Sequence, residues 1–312
     1  MRTPKRLRIL ELLALLIVFA LCGGAMSALA QSPQIFGGKV PQAGQSLSGI
    51  VWPRARVVFL TDGNKLLVRD ACDFGPLRKL SITGVAGQVI NVDYRVADGL
   101  LYALDDLGRI YTLEDSGAAT LVSSLTVPFG GDIRSLADFN PVANALRLIG
   151  ANDQNYAVVG AGLNVTVPQT TLAYAQGDLN AGRNPNVVGG AYTNNFAGAA
   201  TTLFYGVDYD LDTLVGIAGL VNGSSATGGG RLQTIARLPF DVDKTADVDI
   251  YTDAQGRNSL IGVSGRTLFT IDLGQINQAL PLGQLQTLRV RAIPILNENF
   301  IDVAVGPRSC DQ

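Results

Sequence analysis

Short apolar runs recur along this chain, and Gly, Asp and Asn residues separate them, which is the pattern of β-strands joined by tight turns. One unit of four such runs occupies residues 89–93, 100–104, 109–113 and 119–125. Further units of four begin near Leu136, Val187 and Val248. A four-stranded unit that repeats at this spacing is typical of the blades of a β-propeller. The pattern therefore predicts an all-β protein built as a β-propeller.

The two ends of the repeat complement each other. Residues 57–60, 65–69 and 77–82 match the last three strands of a unit, whereas residues 300–305 match only the first strand. Pairing these ends would complete a fifth blade and close the ring, which removes the exposed sheet edges of an open array. We predict five four-stranded blades, with six blades as the alternative if residues 168–186 form strands rather than a long loop. At most one short helix is expected, near residues 273–280.

The first 30 residues have the pattern of an export signal. Arg2, Lys5, Arg6 and Arg8 precede an uninterrupted apolar run at residues 12–21, and a small-x-small site ends at Ala30. This apolar run is too short to span a bilayer. We expect a signal peptide at residues 1–30, an N-terminal arm or tether at residues 31–54, and a single propeller domain at residues 55–312. The mature protein is then secreted, in the periplasm or outside the cell.

The charge of the chain limits the kinds of partner. The formal net charge is −2, and it becomes −5 when residues 1–30, with four Lys/Arg and one Glu, are removed. An acidic chain without a basic cluster argues against nucleic acid and against an anionic membrane surface as partners. We expect no membrane insertion after signal cleavage, and a partner that is an envelope or extracellular ligand of unknown identity.

Several kinds of catalytic site are excluded by composition. The chain has no histidine, three cysteines of which Cys22 leaves with the signal, and one tryptophan. Ser-His-Asp systems, Cys-His systems and histidine-based metal sites are therefore excluded. A calcium-assisted, lactonase-like hydrolase remains, with Asp and Asn oxygens at the propeller mouth. The aspartates that recur at similar positions of the units could ring the central channel, or they could bond backbone N–H groups at strand ends; they are Asp93, Asp138, Asp249 and Asp302.

Three polar strings carry a resemblance to a known family. They are Gly-Asp-Leu-Asn-Ala-Gly-Arg-Asn-Pro at residues 177–185, Ala-Tyr-Thr-Asn-Asn-Phe at residues 191–196 and Asp-Phe-Asn-Pro at residues 138–141. With these strings the chain resembles a secreted bacterial family catalogued as domain of unknown function 4394, over roughly residues 57–306. The resemblance implies a β-propeller and brings no established activity. This chain departs from the simpler members in having Cys72 and Cys310.

The stretch from Gly177 to Asn195 is the candidate ligand-binding surface. It gathers one carboxylate, several amides and one guanidinium among Gly and Ala residues, namely Asp178, Asn180, Arg183, Asn184, Asn186, Asn194 and Asn195. Asp178, Asn180 and Asn184 have the alternate-oxygen spacing of a calcium loop but lack the distal bidentate Glu, so any affinity for Ca²⁺ is expected to be weak. No other cofactor is expected. Alternatively, these side chains bond the backbone of the loop and hold a long connection in place.

Two cysteines remain in the mature chain. Cys72 lies between two strands of the predicted ring-closing blade, and Cys310 follows the C-terminal strand of the same blade. Because export favours oxidation, we predict a disulfide between them, with two free thiols as the alternative.

Taken together, these patterns favour a secreted or envelope-associated β-propeller that acts as a binding or scaffolding module. The calcium-assisted hydrolase is the alternative, and an adhesion or matrix component is a further one. Propellers host many unrelated functions, so the fold by itself does not choose among them.

Overall fold

The computed structural model describes residues 53–70, 77–217, 229–294 and 298–309, together with the backbone of residues 46–47 and 50–51. These residues all fall in one compact unit. The predicted signal peptide, most of the predicted arm, and both Cys72 and Cys310 lie outside the described residues. The disulfide therefore stays a prediction.

The described chain is a succession of β-strands. The first two form a small separate sheet, β1 (Ser46–Leu47) and β2 (Ile50–Val51). The next seven are β3 (Ala55–Thr61), β4 (Lys65–Arg69), β5 (Arg78–Ser81), β6 (Val89–Arg95), β7 (Leu100–Asp105), β8 (Arg109–Leu113) and β9 (Ala119–Ser124). The middle strands are β10 (Leu136–Asn140), β11 (Ala145–Ile149), β12 (Asn155–Val159), β13 (Val165–Pro168), β14 (Ala173–Tyr174), β15 (Val187–Tyr192), β16 (Phe204–Asp208), β17 (Thr213–Ile217) and β18 (Arg231–Arg237). The last are β19 (Asp247–Thr252), β20 (Asn258–Ser264), β21 (Thr267–Asp272), β22 (Val290–Pro294) and β23 (Phe300–Ser309).

These strands form five antiparallel blades. The first blade is β6 to β9, the second β10 to β13, the third β15 to β18 and the fourth β19 to β22. The fifth has the order β23-β3-β4-β5, with Val303 opposite Phe59, so the C-terminal strand completes a blade begun by the N-terminal strands. The prediction of an all-β propeller with five blades closed by the C-terminal strand is confirmed.

The stretch from residue 168 to residue 186 does not form a sixth blade. It is a connection that contributes only the two-residue strand β14, which pairs in parallel with β18 at the outer edge of the third blade. The short helix expected near residues 273–280 is reduced to one 3₁₀ turn, Leu273–Gln275. Asp272 caps this turn by accepting a hydrogen bond from the amide of Gly274.

The five inner strands surround a common axis. Contacts run in cyclic order from β23 to β6, β10, β15, β19 and back to β23. Apolar side chains of adjacent blades pack between the sheets; for example, Val58, Val92 and Ala304 belong to one buried cluster. Polar residues on the inner strands are therefore removed from water, and their hydrogen bonds decide how the blades fit together.

No helix in the described part of the chain has the length and apolar character needed to cross a membrane.

Candidate functional site

Three aspartates from three different blades meet at the propeller axis. They are Asp93 on β6, Asp138 on β10 and Asp249 on β19, and each is 4% exposed or less. One carboxylate oxygen of each lies within 4.8 Å of those of the other two. We call these three residues the acidic layer.

Each carboxylate of the acidic layer accepts a hydrogen bond from the inner strand of the next blade. Asp93 Oδ2 accepts from the amide of Phe139 at 2.6 Å, and Asp138 Oδ1 accepts from the amide of Tyr192 at 3.0 Å. Asp249 Oδ2 accepts in the same way from the strand β23, at the amide of Val305 and 2.5 Å. Charge-assisted bonds of this kind are stronger than bonds between neutral groups, so the layer fastens one blade to the next.

A second polar layer lies beside the first. Asp302 Oδ2 accepts from the amide of Val92 at 3.0 Å and from Asn91 Nδ2 at 2.9 Å, and Asp247 Oδ2 accepts from the amide of Val303 at 3.1 Å. Alternate residues of a strand face the same side, so these side chains share a face with the acidic layer. We call Asn91, Asp247 and Asp302 the adjoining layer.

The expectation that Asp302 is equivalent to Asp93, Asp138 and Asp249 was wrong by two residues. The hydrogen bonds align Asp302 with Asp247 and Asn91, while Ala304 takes the place equivalent to Asp93. Strand alternation has a period of two, so a shift of two residues leaves the pattern of buried and exposed positions unchanged. Only the hydrogen bonds between blades show which residues of neighbouring inner strands are equivalent.

The third blade contributes no acid to either layer. Gly189 stands beside Asp247, and a Cβ placed on Gly189 would lie 2.6 Å from Asp247 Cα and 2.9 Å from the amide nitrogen of Val248. The backbones of β15 and β19 therefore approach more closely than a side chain would allow. Gly189 thus replaces a carboxylate bridge with direct backbone packing.

Burial shifts the protonation of every acid in the two layers. Burial raises the pKa of Asp249 to about 7 and that of Asp302 to about 8. Burial and then the neighbouring Asp249 carboxylate raise the pKa of Asp93 well above its usual range, and the pKa of Asp247 is raised by burial and then by Asp302. Burial and then the carboxylate of Asp93 raise the pKa of Asp138.

These shifts predict that stability falls as pH rises. Because the folded-state pKa values lie above the unfolded ones, the folded chain binds more protons between about pH 4 and pH 8, and the free energy of unfolding decreases over that window. A group with the pKa of Asp249 accounts for a loss on the order of 4 kcal/mol over the whole window, of which about 2 kcal/mol falls between pH 5.5 and pH 8.5. Urea unfolding in metal-free buffer at pH 5.5 and pH 8.5 measures this, with Asp249→Asn expected to reduce the difference. Equal or greater stability at pH 8.5 would contradict it.

The four aspartates considered for a calcium-assisted hydrolase are enclosed. Asp93, Asp138, Asp249 and Asp302 are each 4% exposed or less. Their hydrogen bonds go to backbone amides of the neighbouring blade or of their own strand and, for Asp302, also to the side chains of Asn91 and Asp247. A bulky substrate cannot contact carboxylates that are buried in this way. In the structure, these residues join the blades.

The residues proposed for ligand binding are divided between the two ends of one strand. Asp178, Asn180, Arg183, Asn184 and Asn186 precede β15, whereas Asn194 and Asn195 follow it. Six extended residues span roughly 20 Å. One small ligand therefore cannot contact both groups. Within the first group, Asn180 and Arg183 line one cleft, whereas Asn186 lines a different pocket.

In the first group, Asp178 and Asn180 are fastened to β18. Asp178 Oδ2 accepts from the amide of Thr234 at 2.7 Å, and its Oδ1 accepts from Thr234 Oγ1 at 2.7 Å and from the amide of Asn180 at 2.9 Å. Asn180 Nδ2 also donates to Thr234 Oγ1, and Asn184 Nδ2 donates to the carbonyl of Pro185. Calcium at Asp178, Asn180 and Asn184 stays a prediction, and an ion there would share oxygens that already accept hydrogen bonds.

The other asparagines of the stretch form hydrogen bonds with nearby residues. The amide of Asn186 donates to Asp208 Oδ2 at 2.9 Å. Asn194 donates through its backbone to Asn258 Oδ1 and through Nδ2 to the carbonyl of Thr201. The amide of Asn195 donates to Thr252 Oγ1 on the fourth blade. These contacts hold the loops of the third and fourth blades together.

A polar cleft of about 460 Å³ opens beside Asn180. Its walls include Arg183, Arg237, Asp210, Asp212 and Thr234, and Leu179 and Leu285 lie at its edge. Arg183, Arg237 and Asp210 are exposed. Neither arginine has an ion-pair partner in the described part of the chain. Two cationic groups and several hydroxyl, amide and carboxylate groups thus face one space.

Sequence reasoning missed three residues, two in the adjoining layer and one in the polar cleft. Asn91 and Asp247 stand two positions before acids that were considered, and the alternation within each strand was a signal that could have found them. Arg237 ends a strand more than 50 residues after Arg183, and nothing in the local sequence connects the two.

The fold and its axial layers define a five-bladed β-propeller. The chain belongs to the family described as domain of unknown function DUF4394, whose profile matches residues 66–293. Among curated proteins, no sequence matches the chain.

Solved structures resemble the chain only in fold. A chain of the nidogen–laminin complex has 12% identity and a TM-score of 0.47, with 82% of this chain and 100% of that chain covered. A structural-genomics protein of unknown function from Bacteroides thetaiotaomicron has 12% identity and a TM-score of 0.47, with coverage of 81% and 62%. Virginiamycin B lyase from Staphylococcus aureus has 13% identity and a TM-score of 0.40, with coverage of 77% and 73%. Such low similarity carries no argument about function.

Proposed function

We propose that this protein is an exported binding module whose ligand is a hydroxylated carboxylate, such as an acidic saccharide, held in the polar cleft of the third blade. The observation that carries this proposal is the pair of arginines, Arg183 and Arg237, which face the cleft without an ion-pair partner among the described residues. Guanidinium groups bind carboxylates with paired hydrogen bonds, so two of them favour an anionic ligand.

The other groups in the cleft favour a ligand that also carries hydroxyls. Asn180, Asp210 and Thr234 line the same space, and their side chains can accept or donate hydrogen bonds to hydroxyl groups. The two acids in the walls, Asp210 and Asp212, disfavour a ligand of high negative charge density. A sugar acid combines isolated carboxylates with many hydroxyls and fits both requirements.

The location of the cleft supports binding rather than a purely structural role. It lies where the connection from the second blade meets the turn between β16 and β17, and connections of this kind commonly carry binding residues on a rigid scaffold. Asp178 and Thr234 fix the backbone under Asn180 through short hydrogen bonds. The polar surface is therefore held in one arrangement before a ligand arrives, which lowers the entropic cost of binding.

Export is part of the proposal and is based on the first 30 residues. A basic segment, an apolar run and a small-x-small site are the pattern of a signal peptide. A secreted or envelope-associated module would meet acidic polysaccharides of its surroundings directly. A role in adhesion or in a matrix would use the same cleft and would differ only in the size of the partner.

Calorimetry with oligogalacturonate tests the proposed function. We expect the full mature chain to bind oligogalacturonate and to bind its methyl ester, which has the same sugar without the charge, at least about 10-fold more weakly, because loss of one charge-assisted contact costs about 1.5 kcal/mol or more. Arg183→Ala and Arg237→Ala should each cause a similar loss.

Arg231→Ala provides the matched control. Arg231 is an exposed arginine at the other end of the strand that Arg237 ends, and it does not line the cleft. Its removal should leave the affinity unchanged. Equal binding of the ester, an equal loss in Arg231→Ala, or no binding of oligogalacturonate would overturn the proposal.

A further inference from the structure

The two axial layers are rich in buried acidic side chains that form no ion pair within the described chain. Five aspartates, each 5% exposed or less, lie on the inner strands of four blades, namely Asp93, Asp138, Asp247, Asp249 and Asp302. None of the ion pairs in the described chain involves any of them. Carboxylates buried together must take up protons or a cation, because isolated charges are very unfavourable away from water.

Two buried oxygens beside the acidic layer have no hydrogen-bond donor. These are Asn91 Oδ1 and Asp302 Oδ1, in side chains that are each 1% exposed. Asn91 lies two residues before Asp93 on β6, so both side chains face the same side of the strand. Buried polar atoms are nearly always paired. A proton shared with the Asp247 carboxyl can satisfy Asp302, whereas Asn91 Oδ1 still lacks an electropositive partner.

The chemistry of the donor set suits calcium. Every candidate ligand is a carboxylate or amide oxygen, which is what hard cations prefer, and the chain offers no histidine there. The three carboxylate oxygens lie within 4.8 Å of one another, which is close enough for one calcium ion, with calcium–oxygen distances of ~2.4 Å, to contact all of them. Magnesium requires shorter bonds in near-ideal octahedral geometry and usually keeps several waters, which suits a closed protein layer less well.

The hydrogen bonds within the layer do not prevent an ion from binding. A carboxylate has about four acceptor sites, and Asp93 and Asp249 each accept two backbone amides. Sites remain on every carboxylate for a cation between them. The ion would also reduce the repulsion among groups that the fold holds in place.

We propose that Asp93, Asp138 and Asp249 bind one calcium ion on the propeller axis, with the unpaired oxygen of Asn91 beside it. The ion joins the first, second and fourth blades and stabilises the closed ring. This site is separate from the polar cleft of the third blade, so either can be correct without the other.

Thermal unfolding of the full mature chain tests the proposal. After treatment with a chelator and dialysis, we expect Ca²⁺ at a saturating concentration to raise Tm by about 5 °C or more at neutral pH. Mg²⁺ at the same concentration and ionic strength should raise it much less. Metal analysis of the chain equilibrated with Ca²⁺ and then desalted should find close to one calcium per chain, because a buried ion exchanges slowly.

Three aspartate-to-asparagine variants test where the calcium ion binds. Asp93→Asn and Asp138→Asn each keep an oxygen acceptor while removing a charge, and they should lose most of the calcium-dependent shift. Asp62→Asn changes an exposed acid in a turn and should keep the full shift. An equal shift in all three variants, an equal effect of Mg²⁺, or a wild-type chain without bound calcium would overturn the proposal. If the buried variants fail to fold, the metal content of the wild-type chain still decides.

Discussion

Replacing Gly189 with alanine is expected to destabilise the propeller by about 3 kcal/mol or more. The added Cβ would lie 2.6 Å from Asp247 Cα and 2.9 Å from the amide nitrogen of Val248, so the atoms that must move belong to the backbone of the next inner strand. Backbone in the middle of a closed ring can move only if neighbouring blades also move. Urea unfolding monitored by circular dichroism measures the loss as a lower midpoint.

The control for this substitution is Gly162→Ala. Gly162 lies in a turn of the second blade, and a Cβ there would meet no atom within 4 Å. Neither glycine has a positive φ angle, so the comparison isolates the steric effect. Gly162→Ala should change stability by less than about 0.5 kcal/mol. Similar unfolding midpoints for the two variants would contradict the close approach of β15 and β19.

Replacing Asp178 with alanine should cost about 3 kcal/mol. The substitution leaves the amide of Thr234, the hydroxyl of Thr234 and the amide of Asn180 without their acceptor, and a buried donor left unpaired costs about 1–3 kcal/mol. Chemical denaturation measures the loss of stability. Asn184→Ala, at an exposed side chain of the same connection, should have little effect.

The same variant separates a structural role from a binding role for this connection. Asp178 is buried and does not line the polar cleft, whereas Asn180 does. The folded fraction of Asp178→Ala should therefore still bind oligogalacturonate when measured well below its unfolding temperature. Lost binding at unchanged stability would instead establish Asp178 as part of a ligand site.

Much of the architecture could be predicted from the sequence because it depends on local patterns. Runs of alternating apolar residues and turns rich in Gly and Asp define each strand, and turn residues such as Gly108 take the positive φ that a tight turn requires. The incomplete units at the two ends of the chain complement each other and predicted the ring closure. The pairing of Val303 on β23 with Phe59 on β3 confirms it.

The axial layers could be predicted only in part. The recurrence of Asp93, Asp138 and Asp249 is visible in the sequence, but the grouping of Asp302 with Asp247 depends on how one blade packs against the next. No local sequence pattern distinguishes the correct alignment of two inner strands from one that is shifted by two residues. The role of Gly189 was likewise hidden, since the absence of a side chain becomes informative only when the neighbouring backbone is known.

The candidate binding surface shows the same limit. The polar stretch from residue 177 to residue 195 is predicted to form one surface, although the strand pattern already predicts a strand that begins near Val187 within it. The structure confirms the strand, Val187–Tyr192, and it separates the two ends of the stretch. Arg183 and Arg237 come together through the fold of the third blade, which no local pattern records.

We propose that the buried carboxylates at the axis join the blades around a calcium ion. Anomalous diffraction from crystals of the chain without residues 1–30, equilibrated with Ca²⁺, shows directly whether this ion is present. We predict one strong calcium peak on the propeller axis within about 2.3–2.6 Å of oxygens from Asp93, Asp138 and Asp249. A well-ordered axis without such a peak, or a calcium peak bound only elsewhere on the chain, would contradict the claim.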